Sequence, residues 1–195
     1  MKKYTVGITT LGCKVNQYES EAIAEALELR GFEISKSSQP CDAYIINTCT
    51  VTAESDRKAR QMIRRMMSHN PNALIIVTGC YSQVSPSAIA EIDGVDYVCG
   101  TSNKMSVIDK LSSLMEKGKN DIAEICVPNL DDAEFECMSI KKFDRTRAYV
   151  KIEDGCESKC TYCTIPMARG RIRSKPFNDV IDEVKELIEG GCAEV

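Results

Sequence analysis

A chain of 195 residues with 43% apolar side chains is long enough to bury a sizeable core in one or two domains. No window approaches the ~18 uninterrupted apolar positions of a spanning helix, so no membrane partner is expected. The net charge of −4 excludes a general polyanion binder, and any nucleic-acid affinity has to come from a local patch. Met1 leads into a strand pattern with no signal-peptide core, and the expected location is the cytoplasm, where thiols stay reduced. Eleven cysteines, an odd number, then suggest metal or catalysis more than disulfides.

From residue 3 to residue 99, short apolar runs alternate with helical periodicity. Residues 4–9, 43–47, 74–77 and 97–98, rich in Ile, Val and Tyr, are expected as strands. Helices are expected over 16–30, 54–70, 86–92 and 104–116, with Gly31 closing the first and Pro71 blocking the second. This βαβα order predicts an α/β fold: an open, mainly parallel sheet with flanking helices. Cys13, Cys49 and Cys80 each follow one of the first three strands. Parallel strands bring their C-termini to one edge, where open α/β sheets bind ligands. Three buried structural thiols are the bland alternative, and Cys99, at another strand end, is an open fourth ligand.

Helix 54–70 divides into an apolar stripe (Ala59, Met62, Ile63, Met66, Met67) and a basic face (Arg57, Lys58, Arg60, Arg64, Arg65). A solvated surface explains such a face most simply; contact with RNA phosphates, Arg57 and Arg64 among them, is the alternative. Residues 121–136 then hold six acidic residues and no basic ones, which suggests a surface linker over 119–140 between a first domain, 1–118, and a second, 141–195. Residues 141–175 reverse the sign, with ten Lys or Arg against four Asp or Glu.

The second domain is expected to open with a strand over 148–152, followed by a cysteine loop and a helix over 177–188. Cys192 begins what is expected as another strand. One βα unit and the start of the next are too few for a barrel, so the chain is expected to end inside this domain. Within the loop, Cys156, Cys160 and Cys163 have the spacing C-x3-C-x2-C, preceded by Gly155. Thiolates this close can converge on one soft metal centre, and three ligands are one fewer than a closed zinc site or a fully ligated cubane uses. Arg169, Arg171 and Arg173 follow as candidates for a substrate phosphate or carboxylate.

C-x3-C-x2-C with Tyr162 before the third cysteine resembles the signature of radical S-adenosylmethionine enzymes, and Cys163-Thr-Ile-Pro-Met-Ala-Arg-Gly-Arg narrows the resemblance to the methylthiotransferases. TLGCKVNQYES, INTCTVTAESDRKARQMIRR and VTGCYSQ are similar to the blocks of that family's N-terminal domain. The resemblance implies two [4Fe-4S] clusters, an auxiliary one on Cys13, Cys49 and Cys80 and a radical-generating one on Cys156, Cys160 and Cys163. Cys99 has no counterpart in it. It further implies S-adenosyl-L-methionine as cofactor, with Tyr162 against its adenine, and the start of a radical SAM (β/α) barrel.

A one-electron reductant such as flavodoxin or ferredoxin, and tRNA at its anticodon loop, are the implied partners. GCKVNQYES and KIEDGC most resemble the threonylcarbamoyladenosine tRNA methylthiotransferases, which modify C2 of the hypermodified adenosine beside the anticodon. Isopentenyladenosine tRNA or a ribosomal protein as substrate, and a non-catalytic metal-binding module, are the alternatives. Asn16 is expected as the cap of the first helix beside the auxiliary site. With most of a barrel missing from 195 residues, the chain is expected to load the auxiliary cluster but not to turn over alone.

Overall fold

Burial on both faces of a sheet selects continuous runs of Ile, Val and Leu, and two such runs stand at its centre. In the computed structural model, which describes residues 3–141 and 147–195, Ala43–Thr48 (β3) and Leu74–Gly79 (β4) are buried along their whole length. Six strands pair in the order β2-β1-β3-β4-β5-β6, with Thr5–Thr10 as β1, Glu33–Ser35 as β2, Tyr97–Cys99 as β5 and Glu124–Cys126 as β6. Every pairing is parallel.

Side chains alternate across the sheet, so neighbouring strand residues feed two cores. Ile45 and Ile76 point to one side, against Ile23 and Leu27 of α1 (Lys14–Leu29) and Leu111 of α5 (Ser106–Lys117). Ile46, Ile75 and Val77 point to the other, against Ile63 and Met66 of α2 (Ala53–His69) and Ile89 of α4 (Pro86–Ala90). Between β4 and α4 lies α3 (Cys80–Val84).

The strands and helices expected over residues 3–118 form, and three further elements join the sheet part. β2, α3 and β6 are only three, five and three residues long, too short to show a period. β6 falls within 119–140, the stretch expected as a surface linker. It adds the last strand of the sheet, and Leu130, Met138 and Ile140 of the same stretch are buried. Composition there reports an exposed edge strand, whose Glu124 pairs with Lys110, rather than an unpacked segment.

The second part rests on α1. Tyr18 and Ala22 pack with Met138, Ile140, Ala148 and Leu187 in a third core. The Tyr18 hydroxyl donates to Glu183 of α7 (Phe177–Glu189) at 2.8 Å. The strand expected over 148–152 is not formed. Ala148 N–H donates to Glu194 O at 2.9 Å, but a lone bond makes no ladder, and residues 192–195 are likewise irregular. The strands here are Glu153–Asp154 (β7) and Arg173–Ser174 (β8), paired antiparallel around the cysteine loop and α6 (Ile165–Arg169). Lys142 and Arg145 of the basic stretch lie outside the described residues.

Candidate functional site

The strand order reverses between β1 and β3, since β1 leads outward to β2 on one side and the chain continues on the other through β3. The crevice beyond the carboxyl ends at such a reversal is where open α/β sheets bind ligands. Cys13 caps α1 just beyond β1, Cys49 follows β3 and Cys80 opens α3 directly after β4. Cys13 is exposed, while Cys49 and Cys80 are buried. A β-carbon placed on Gly12 would stand 2.8 Å from Cys49 Cβ and 3.1 Å from its sulfur, so the loop leading into Cys13 runs directly against Cys49. Burial pushes the Cys80 thiol up, against the pull of Arg169 and Lys104.

Asn16 is not the cap of α1; Cys13 holds that position. Asn16 sits in the first turn, where its amide donates to Leu11 O at 2.8 Å and Thr48 O at 2.9 Å, tying the β1 and β3 loops together. Cys99 is fully buried beside β6, and burial raises its thiol to about 12.

The second loop is built on a turn. Gly155 has φ +86°, and a β-carbon there would fall 2.0 Å from Arg171 O, so only glycine lets the chain pass. Cys156 N–H donates to Gly170 O at 3.0 Å and Cys163 N–H to Cys160 O at 3.1 Å. Cys156, Cys160, Lys159 and Arg171 line a cavity of about 610 Å³. Tyr162, in the same loop, is 87% exposed.

Between the two loops lies a buried ionic network. Glu19, fully buried, pairs with Lys104, with Lys151 at 2.8 Å and with Arg169 at 3.0 Å. Asp154, immediately before Gly155, pairs with Lys151 at 2.6 Å and Arg169 at 2.9 Å. Arg169 also donates to Asn16 Oδ1 at 2.7 Å. Burial pushes Glu19 and Asp154 up, but the cations outweigh it and hold both carboxyls below the usual range.

The structure thus draws Arg169 and Arg173, expected to meet substrate, into the interior. Arg169 is held by two carboxylates, and Arg173 donates to Arg169 O at 2.6 Å with Asp154 3.8 Å away. Arg57, Arg64 and Arg171 are exposed. Arg57 is paired with Glu54 at 2.7 Å. Glu19, Lys104, Lys151 and Asp154 were not singled out by sequence. The signal for Glu19 is its position one helical turn after Asn16, on the same face of α1.

Among the described residues, no three Cys, His, Asp or Glu side chains are close enough together to hold one metal ion. The donor chemistry nonetheless fits iron–sulfur groups. Each set supplies three thiols, and glycines at 12 and 155 keep the approaches to Cys13 and Cys156 free of side chains.

Residues 5–100 match the profile described as Uncharacterized protein family UPF0004. Threonylcarbamoyladenosine tRNA methylthiotransferase MtaB of Bacillus subtilis is 42% identical over 194 residues, covering 98% of this chain and 42% of that relative. Over nearly its whole length the chain is similar to a methylthiotransferase. MtaB of Thermotoga maritima is 41% identical over 98% of this chain and 43% of its own length. A tRNA-2-methylthio-N(6)-dimethylallyladenosine synthase of Sulfurihydrogenibium is 33% identical over 96% of the chain and 44% of its own length. The chain thus spans about two fifths of the length of the methylthiotransferases it matches. The fold is shared with the radical S-adenosylmethionine methyltransferase TsrM of Kitasatospora setae, at a TM-score of 0.58 and 17% identity, over 98% of this chain and 48% of that one.

Proposed function

We propose that these residues form the two-cluster part of an enzyme that transfers a methylthio group to C2 of N6-threonylcarbamoyladenosine in tRNA. Cys13, Cys49 and Cys80 hold an auxiliary [4Fe-4S] cluster, and Cys156, Cys160 and Cys163 hold the one that works with S-adenosyl-L-methionine. One observation carries the reading: the 2.7 Å bond from Arg169 to Asn16 sets the two cysteine loops side by side. Radical generation at one site and sulfur supply at the other have to meet at one substrate carbon. When bound, these groups supply one-electron cleavage chemistry and a transferable sulfur.

The chain's own residues do the rest. Gly155 lets the backbone turn tightly enough to present Cys156 and Cys160 to the cavity. Tyr162, 87% exposed, offers a ring for an adenine to stack on. The exposed face of α2, with Arg57 and Arg64, and Arg171 by the cysteine loop supply cations for tRNA phosphates. A one-electron reductant of the flavodoxin or ferredoxin kind, working in the cytoplasm, completes the partners.

Mass spectrometry of tRNA nucleosides from a strain lacking the gene tests the substrate. The methylthio form of threonylcarbamoyladenosine disappears and returns on complementation; if it persists in the deletion strain, the assignment fails. Loss of the methylthio group from dimethylallyladenosine instead would favour the second reading, which the 33% identity to such a synthase supports. Anaerobic reconstitution tests the clusters separately: iron and sulfide load together, whereas stoichiometric zinc without sulfide would leave a non-catalytic metal module.

The cationic face has its own test. Arg57→Gln with Arg64→Gln weakens binding of an anticodon stem-loop and lowers the slope of log affinity against log salt by about 0.7 for each lost single-strand phosphate contact. An unchanged slope would return this face to plain solvated surface.

A further inference from the structure

Arg169 touches both cysteine loops. It reaches back from the end of α6, a few residues after Cys163, to Asp154 beside Gly155 at 2.9 Å and forward to Asn16 of the first loop at 2.7 Å. α6 is itself fastened to the sheet edge, where Thr101 Oγ1 donates to Ala168 O at 2.8 Å. At 5% exposure the guanidinium has no open path to a substrate phosphate, so its partners are those within the fold.

The network around it carries surplus positive charge. Four cations, Lys104, Lys151, Arg169 and Arg173, meet three carboxylates, Glu19, Glu136 and Asp154, all buried or nearly so. Arg173 Nε and Nη1 are buried with no partner among the described residues. An uncompensated buried cation is costly unless an anion balances it. Asn16 Oδ1, which accepts from Arg169 at 2.7 Å, also accepts from Cys13 Sγ at 3.7 Å, so the surplus lies against the first cysteine set. A cluster held by three thiolates is an anionic group, and the surplus matches it.

We infer that Arg169 is a positioning residue that clamps the second cysteine loop to the first and keeps a positive charge beside the group held by Cys13, Cys49 and Cys80. The inference rests on the reading of those three cysteines as cluster ligands. It makes the two loops thermodynamically reciprocal: loading the first site steadies the second loop, and an ordered second loop favours loading of the first.

The test starts from a parent chain carrying Cys156→Ala, Cys160→Ala and Cys163→Ala, so that only the first set can load. Arg169→Lys and Arg169→Gln are added separately, with Lys185→Gln, an exposed position of α7, as control. After anaerobic reconstitution, iron and sulfide content, midpoint potential and hydrogen exchange across residues 154–170 are measured. Arg169→Gln shifts the potential to more negative values, because reduction adds an electron beside a lost cation. Arg169→Lys keeps the potential near the parent's, since it keeps the charge. Both variants exchange about tenfold faster across 154–170, because the forked charge-assisted bonds are gone.

If Arg169→Gln takes up no cluster, occupancy becomes the readout: retained loading in Arg169→Lys supports the inference, and an equal loss in Lys185→Gln overturns it. A loaded parent whose potential does not move in Arg169→Gln removes the role of Arg169 alone. A parent that binds no iron and sulfide removes the cluster reading itself, and the inference falls with it.

Discussion

Glu19→Gln destabilises the fold by about 3–5 kcal/mol, read as a lower denaturant midpoint at unchanged slope. Glutamine fills nearly the same space, so packing is not the cause. What goes is the carboxylate that Lys104, Lys151 and Arg169 share in a fully buried position. Removing one partner of a buried ionic cluster leaves the others unpaired out of water, and that penalty exceeds the worth of the bonds themselves.

The pH dependence carries the same signature. Burial raises the Glu19 pKa, the three cations outweigh it, and the folded value lies below the ordinary 4.5. A depressed folded pKa gives stability that is complete above the unfolded value and is lost as the pH falls below it. Asp154 is depressed for the same reason and acts in the same direction. The unaltered chain therefore melts at steadily lower temperature as the pH drops below about 4.5, while Glu19→Gln shows a flatter decline. Parallel acid curves for the two chains would mean that Glu19 is not held as an ion.

Gly79→Ala acts on the first cysteine site from behind. Gly79 ends β4 at φ +102° and stands opposite Thr48 in the β3–β4 ladder. A β-carbon there would meet the Asn47 side-chain Oδ1 at 2.6 Å, and Thr48 O at 2.4 Å and Thr48 N at 2.6 Å, backbone atoms that cannot swing aside. Strained backbone at about 1–3 kcal/mol and overpacking of similar size together suggest a loss of about 2–6 kcal/mol. Since the residues displaced adjoin Cys49 and Cys80, cluster content should fall more than stability alone predicts. A variant of normal stability with full iron and sulfide would contradict the geometry.

Much of this site could be read from the chain alone because its parts are local. The strand-end cysteines follow from counting, since a parallel βαβα order fixes which end of each strand faces the ligand edge. The C-x3-C-x2-C loop needs only its spacing. The missed parts depend on partners far apart in sequence. Glu19 meets Lys151 across 132 positions and Arg169 across 150, separations that no period encodes. Arg169 and Arg173 looked like substrate contacts because arginine on a polar stretch is usually exposed. Burial beside Glu19 and Asp154 reverses that expectation. β6 was hidden by its acidic surroundings, where edge position rather than disorder accounts for the charge.

The network also imposes a schedule on a growing chain. Glu19 emerges from the ribosome early, and Lys151 follows 132 residues later. At about 5–20 residues per second this leaves an interval of roughly 7–26 s in which the α1 carboxylate lacks two of its cations. Once residue 80 is made within that time, Cys13, Cys49 and Cys80 are all present, but Arg169 is not. Iron delivered in that interval would meet an unclamped first loop, whereas a chain synthesised through Arg169 offers it a closed one.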